Sequence, residues 1–324
     1  MSNLKKYDFD ITVTGGTYAG ELALPYVTAA LLGAETIAKG RCRLIEGVQY
    51  KAVINNLTTA DTIQAATCAF ADGNDLTLTE QVVELSDLAV MEVICRGTLF
   101  PTWVAAQGSM NRDGDLPVAF TDFLMASVAD RTGTNLESLM WSGAAPFGVG
   151  LLSTDGVIDD DATGIGGSAM KGFAEADTGA LGAWTKANIL GVLDLVFDAA
   201  QATPGILLKP GAGFYVSYEA YAFFLQAIAA QSTNQGYNQE LGGATYLGYP
   251  VYPTGGIPNT TDVCVFTYPD NIVVGTNNYT PDISAQLIPA YAYDGSDNVK
   301  VAMRFGVGVQ TAVPGDGVVG FNFS

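Results

Sequence analysis

Between Asn298 and Gln310 the chain reads NVKVAMRFGVGVQ. Val299, Val301, Met303, Phe305, Val307 and Val309 recur at every second position, with Lys300, Arg304 and Gln310 between them. A period of two sends the first set to one face of an extended strand and the second to the other. A chain carrying this stretch has to contain a sheet with an apolar face to cover. The segment leading up to it supplies candidate layers. The apolar run GILLKPGAGFYVS ends at Ser217, whose hydroxyl can accept from the first free amides of a helix. That helix is predicted over Tyr218 to Ala230, with Tyr221, Phe224, Leu225 and Ile228 on one face. TYLGYPVYPTGGIP, VCVFTYP and NIVVGT follow as short β-rich pieces bounded by Gly, Pro and Asn.

Composition narrows the function classes. The 324 residues hold 14 Lys and Arg against 33 Asp and Glu, a net charge of −19 that disfavours phosphate backbones. There is no histidine, which removes Ser-His-Asp and Cys-His catalysis and His-ligated metals. Cys42, Cys68, Cys95 and Cys264 form no CxxC pair, so buried thiols are expected rather than a zinc site or disulfides. No apolar run approaches the length of a membrane span, and SNLKKYDFD lacks a signal core. A protein made in a reducing cytoplasm is the expectation.

Taken in order, the chain opens with a polar arm and a TGGTYAG turn, then a short helix near Tyr26 to Leu32. RCRLIEGVQYKAVINNL and TIQAATCAFADGNDLTLT, within Lys39 to Leu78, alternate as a long hairpin. Thr77 and Glu80 have capping-box spacing, which predicts a helix to about Cys95 with Val82, Leu85, Ala89 and Val93 as its stripe. Asp115-Leu-Pro117 starts a second helix through Phe120, Phe123, Leu124 and Val128, and Thr134 with Glu137 suggests another cap before LESLMWSG. Residues 144–179 shift to Gly, Asp, Ser and Thr. Thr185 caps a helix carrying Ile189, Val192, Leu193, Val196, Phe197 and Ala200, stopped by Pro204.

An apolar strand, a helix, the phrase LGYPVYPT, the strand IVVG and a closing alternating strand, in that order, resemble the major capsid proteins of tailed bacteriophages. The resemblance implies an α+β (mixed α/β) fold of the Hong Kong 97 type. It would divide the chain into an N-terminal arm (1–38), an extended hairpin loop (39–78) and a peripheral domain with a long spine helix (79–184). An axial domain (185–310) and a tail returning to the peripheral domain (311–324) would complete it. The implied function is a virion shell subunit, made in the host bacterial cytoplasm, that assembles as hexamers and pentamers around double-stranded DNA without reading its sequence. Implied partners are other copies of itself, a portal, and a scaffold or decoration protein, with no membrane. An encapsulin-like shell is the nearest alternative, and an acidic carbohydrate-binding or carboxylate-based hydrolase domain a remoter one.

The candidate chemistry is sparse. Asp159-Asp160-Asp161 lacks the ligand spacing of a calcium loop and reads as a solvated acidic loop. Thr163 to Ser168 is glycine-rich but lacks the Lys of a P-loop. Glu80 and Glu84 would share a solvated helix face rather than converge across a cleft. No catalytic residue, metal ligand or cofactor site is assigned. Lys39, Arg41, Arg43 and Lys51 form the densest positive stretch of an acidic chain. They are the candidate intersubunit contacts, expected to meet acidic surface on a neighbour. Crosslinking through Lys39 or Lys51 has no motif to select it.

Overall fold

The computed structural model describes residues 17–19, 29–31, 33–59, 76–95, 118–147, 149–152, 170, 173–231, 244–259, 262–278, 284–290 and 295–322. In chain order, β1 (Thr17–Ala19) and helical residues at 29–31 precede α1 (Glu35–Ala38), followed by β2 (Arg43–Ile45), β3 (Lys51–Thr59), β4 (Leu76–Glu84) and β5 (Ser86–Cys95). The helix α2 (Val118–Ser142) and strand β6 (Ala174–Asp177) lead to the helices α3 (Ile189–Gln201) and α4 (Pro204–Leu207). Next come β7 (Gly213–Val216), α5 (Tyr218–Gln231), β8 (Thr245–Tyr246), β9 (Tyr249–Pro253) and β10 (Val263–Thr267). The chain closes with β11 (Ile272–Thr276), β12 (Ser284–Pro289), β13 (Asn298–Thr311) and β14 (Val318–Phe321).

The alternating stretch is β13, and one sheet is built on it. Along one side it pairs with β5 over the whole of that strand, from Asn298 opposite Cys95 to Val307 opposite Ser86. Along the other side its first half pairs with β12 and its second half with β11. β1 adds outside β12, and β2 adds in parallel outside β11. Val299, Val301, Met303, Phe305, Val307 and Val309 are all buried, while Lys300 and Arg304 are exposed, as the period of two demands. Each such side chain contributes roughly 1.5–3 kcal/mol on burial.

The inward face of this sheet shares one core with α2. In that helix Leu124 and Met125, Val128 and Ala129, Leu136, and Met140 with Trp141 are buried at four-residue spacing. The helix is continuous for 25 residues, so Thr134 and Glu137 lie inside it rather than at a cap. Gly133 sits mid-helix at a cost in propensity. A Cβ there would come within 2.4 Å of the Gly33 Cα, so two backbones meet where no side chain fits.

A second sheet has the order β6-β14-β10-β7-β9-β8, with α3 and α5 packed into its core. Phe214 and Phe266 pack within it at 4.7 Å between centroids, their rings tilted by 53°. The Ser217 hydroxyl accepts from the Ala220 amide at 3.2 Å and starts α5 as expected, although Leu225 faces outward. Ahead of α3 the Thr185 amide donates to Asn188 Oδ1 at 2.6 Å, so the helix begins four residues beyond Thr185.

Several expectations are corrected. The helix predicted after Thr77 is strand. β4 pairs with β3 from Lys51 opposite Glu84 to Thr59 opposite Leu76. The supposed helical stripe is split, with Leu85 buried but Val82, Ala89 and Val93 exposed. A short run rich in Val and Ile suits both periods, and long-range pairing with β3 and β13 decides for strand. The hairpin therefore has its described strands at Lys51–Thr59 and Leu76–Glu84, while Arg43–Ile45 belongs to the β13 sheet. The long helix comes later, as α2.

In the tail 311–324, β14 inserts between β10 and β6 of the second sheet, so it pairs with one strand from within 185–310 and with one from within 79–184. Conversely β11, β12 and β13, within 185–310, belong to the first sheet. The chain crosses between the two sheets more often than a division into consecutive segments allows. Asp159 to Asp161, Thr163 to Ser168, Cys68 and most of the arm lie outside the described residues.

Candidate assembly surfaces

The β3–β4 ribbon forms a two-stranded sheet of its own. Directly opposite residues of an antiparallel pair point to the same side. Val53 faces Val82 and Leu57 faces Leu78, and all four are exposed, at 56, 42, 58 and 57%. On the reverse side at the ribbon's root, Ile54 and Val83 are buried in a small cluster with Val273 and Ala312. The ribbon is thus anchored by one face and presents two apolar cross-strand pairs on the other. Surface of that kind marks a contact site.

The four candidate basic residues do not converge. Lys39 donates to Glu35, one turn earlier on α1. Arg41 is held inside its own subunit. Its Nη1 donates to the Pro253 carbonyl at 2.6 Å and lies 3.8 Å from Glu35, and its guanidinium stacks 4.6 Å from the Tyr252 ring centre. Lys51 pairs with Glu84 at 3.1 Å across the ribbon root, and the Tyr50 hydroxyl donates to the same carboxylate at 2.9 Å. These bonds raise the Lys51 ammonium and lower the Glu84 carboxyl. Arg43 alone points outward from β2, and among the described residues no ion pair involves it.

A buried polar junction joins α1 to α2. The Thr36 amide donates to Glu137 Oε2 at 2.9 Å, and the Thr36 hydroxyl and Trp141 Nε1 donate to Oε1 at 2.6 and 3.1 Å. Thr36, Glu137 and Trp141 are at most 3% exposed. Burial pushes the Glu137 carboxyl up, against the pull of its donors. Burial, and then the charge of Glu137, push the Cys42 thiol to about 12.

At the outer end of the junction, burial would raise Glu35. Donation from Lys39, Tyr218 and the Gly255 amide outweighs it, and the carboxyl is lowered. Its bond in turn raises the Tyr218 phenol to about 12. Gly256 lets the chain lie flat on Trp141, where a Cβ would fall 2.0 Å from Cδ1. This junction ties α1 and α2 to the β9 end of the second sheet. Glu137 is buried and engaged by three donors from its own chain.

Sequence reasoning missed this junction. Its only trace is Glu137 and Trp141 four residues apart, which places both on one helix face if the helix is continuous.

Compared by sequence, the chain matches no family model and no curated protein. Compared by structure, it is similar to the capsid of an empty GTA particle, with a TM-score of 0.55 at 13% identity over 91% of this chain and 90% of that one. The capsid of Myoviridae phage XM1 gives 0.54 at 12% identity, over 89 and 92% of the two chains. Gordonia phage Cozz gives 0.54 at 12%, over 89 and 87%.

The chain has the Hong Kong 97-type capsid fold. Within that fold the β13 sheet with α2 and the second sheet with α3 and α5 are the two bodies. The β3–β4 ribbon is the extension that leaves them, and its two apolar pairs are the capsid-fold surface least explained by a single subunit.

Proposed function

We propose that this chain is a shell subunit of a tailed-phage head, which assembles with copies of itself as hexamers and pentamers around packaged double-stranded DNA. The observation that carries the reading is the ribbon: anchored at its root, apolar at its outer face, and borne on a capsid-type fold. Val53, Leu57, Leu78 and Val82 seat on a neighbouring subunit. Arg43, with no partner in its own chain among the described residues, meets acidic surface there. Many modest contacts of this kind close a shell by their sum, and each remains reversible while it grows. Portal, scaffold or decoration proteins would complete such a head.

Electron microscopy and sedimentation of the purified chain test this. Closed particles or ring-shaped capsomers are expected. A single species of one subunit's mass at high protein concentration, across salt conditions, overturns the reading.

A further inference from the structure

α1 is fastened on two sides, each time through one carboxyl group. On its inner side Thr36 reaches Glu137 of α2, through its amide at 2.9 Å and its hydroxyl at 2.6 Å. On its outer side Glu35 accepts from the Tyr218 hydroxyl at 2.6 Å and the Gly255 amide at 3.2 Å, both beside the second sheet. α1 therefore bridges the two bodies.

The two carboxyl groups sit in opposite surroundings. Glu137 is 3% exposed, and among the described residues no cation lies within ion-pair distance of it. Lys39 and Arg41 turn to Glu35 instead. On α2 itself Asp130 and Arg131 are exposed and more than a turn away. Cys42 and Tyr218 face the site and are held neutral up to about 12. Tyr215, which packs on Trp141, is held neutral by burial. The charge facing Glu137 is thus that of Glu35, which is negative and opposes a second one.

A carboxyl group buried without a counterion favours its proton. The 2.6 Å bond accommodates that proton, with Glu137 Oε1 then donating to Thr36 Oγ1. Burial alone would favour a proton on Glu35 too, but its bonds from Lys39, Tyr218 and the Gly255 amide favour the charge.

We propose that α1 is a proton-controlled clip between the two bodies. Glu137 grips it from α2 while protonated, Glu35 grips the second sheet while ionised, and both grips hold only within a band of pH. The band opens below pH 4.5, as Glu35 loses its proton, and closes above 4.5, as Glu137 loses its own. Under the shell-subunit reading, on which this last step alone rests, hexamers and pentamers ask one chain for more than one tilt between its bodies, and a loosened clip permits it.

Amide exchange in the full-length chain, corrected for its intrinsic pH dependence, reads each grip separately. The Thr36 amide is expected to lose protection about fivefold or more as pH rises from 4.5 past neutrality. Glu137→Gln keeps a neutral acceptor in place, so its Thr36 protection should stay level. The Gly255 amide should lose protection in the other direction, as pH falls below 4.5, in wild type and not in Glu35→Gln. Level protection at either amide in wild type overturns the proposal, and so does an equal loss in the matching Gln variant. Should Glu137→Gln not fold, NMR titration of the Glu137 carboxyl carbon in wild type decides: it ionises in step with the Thr36 loss, or the proposal is overturned. None of these readings requires a particle, so the clip is judged apart from the shell.

Discussion

Glu137 shows how one buried carboxylate can fix the relation between distant segments. It takes three donors from Thr36 and Trp141, and replacing it by Ala leaves the Thr36 amide and hydroxyl buried without it, while Trp141 Nε1 keeps only Thr36 Oγ1 at 3.1 Å. Glu137→Ala is expected to cost about 3 kcal/mol, read by chemical denaturation. Its carboxyl is raised in the folded state, so the folded chain holds the proton more tightly than the unfolded one. The Glu137 contribution to stability is therefore greatest at acid pH. It declines as pH climbs from the ordinary value of 4.5 through the raised one. Glu35, lowered, has the opposite sign and loses its contribution as pH falls below 4.5. Denaturation curves across that window should show the Glu137 slope in wild type and not in the Ala variant. Gly133→Ala is a second residue-scale case. Helix propensity would gain about 1 kcal/mol, but the clash with Gly33 wins, and a net loss of about 2 kcal/mol is expected by thermal melting.

At the scale of elements, the ribbon separates anchoring from presentation. Val53 and Leu57 are more than half exposed, so Val53→Lys with Leu57→Lys should change subunit stability by no more than about 1 kcal/mol. The same pair should sharply reduce particle yield by light scattering; unchanged yield would remove the ribbon face from the interface. The basic stretch divides in the same way. Arg43→Glu is expected to leave the fold intact and impair closure. Arg41→Glu is expected to destabilise the subunit itself by about 2 kcal/mol, because it loses the Pro253 carbonyl and the Tyr252 ring. Circular dichroism melts on each single variant distinguish the two outcomes.

For the whole molecule, charge sets the response to salt. Lys39, Arg41 and Lys51 are already engaged within the subunit, and the chain as a whole carries a net charge of −19. Repulsion between like-charged subunits then outweighs the attraction that the sequence suggested. Raising salt from about 0.01 to 0.1 M shortens the screening length from about 30 to 10 Å. Assembly followed by light scattering should speed up over that range. A slowing would show that cross-subunit ion pairs dominate.

Local pattern in the sequence determined a good part of this. The period of two at Val299 to Val309, the four-residue spacing in α3 and the Ser217 cap are local features, and local backbone geometry reads them directly. The ordered words between Gly205 and Gln310 carried the capsid-type fold. The segment Leu76 to Cys95 could not be settled locally, because its Val and Ile residues satisfy both periods. Only the partners β3 and β13, far off in sequence, make it strand. The same holds for the tail, drawn into the second sheet by β10 and β6, and for Arg41, whose partners Pro253 and Tyr252 lie more than two hundred residues away. Side chains and edges are committed by whatever the tertiary fold brings beside them, and that neighbour is not written next to them in the chain.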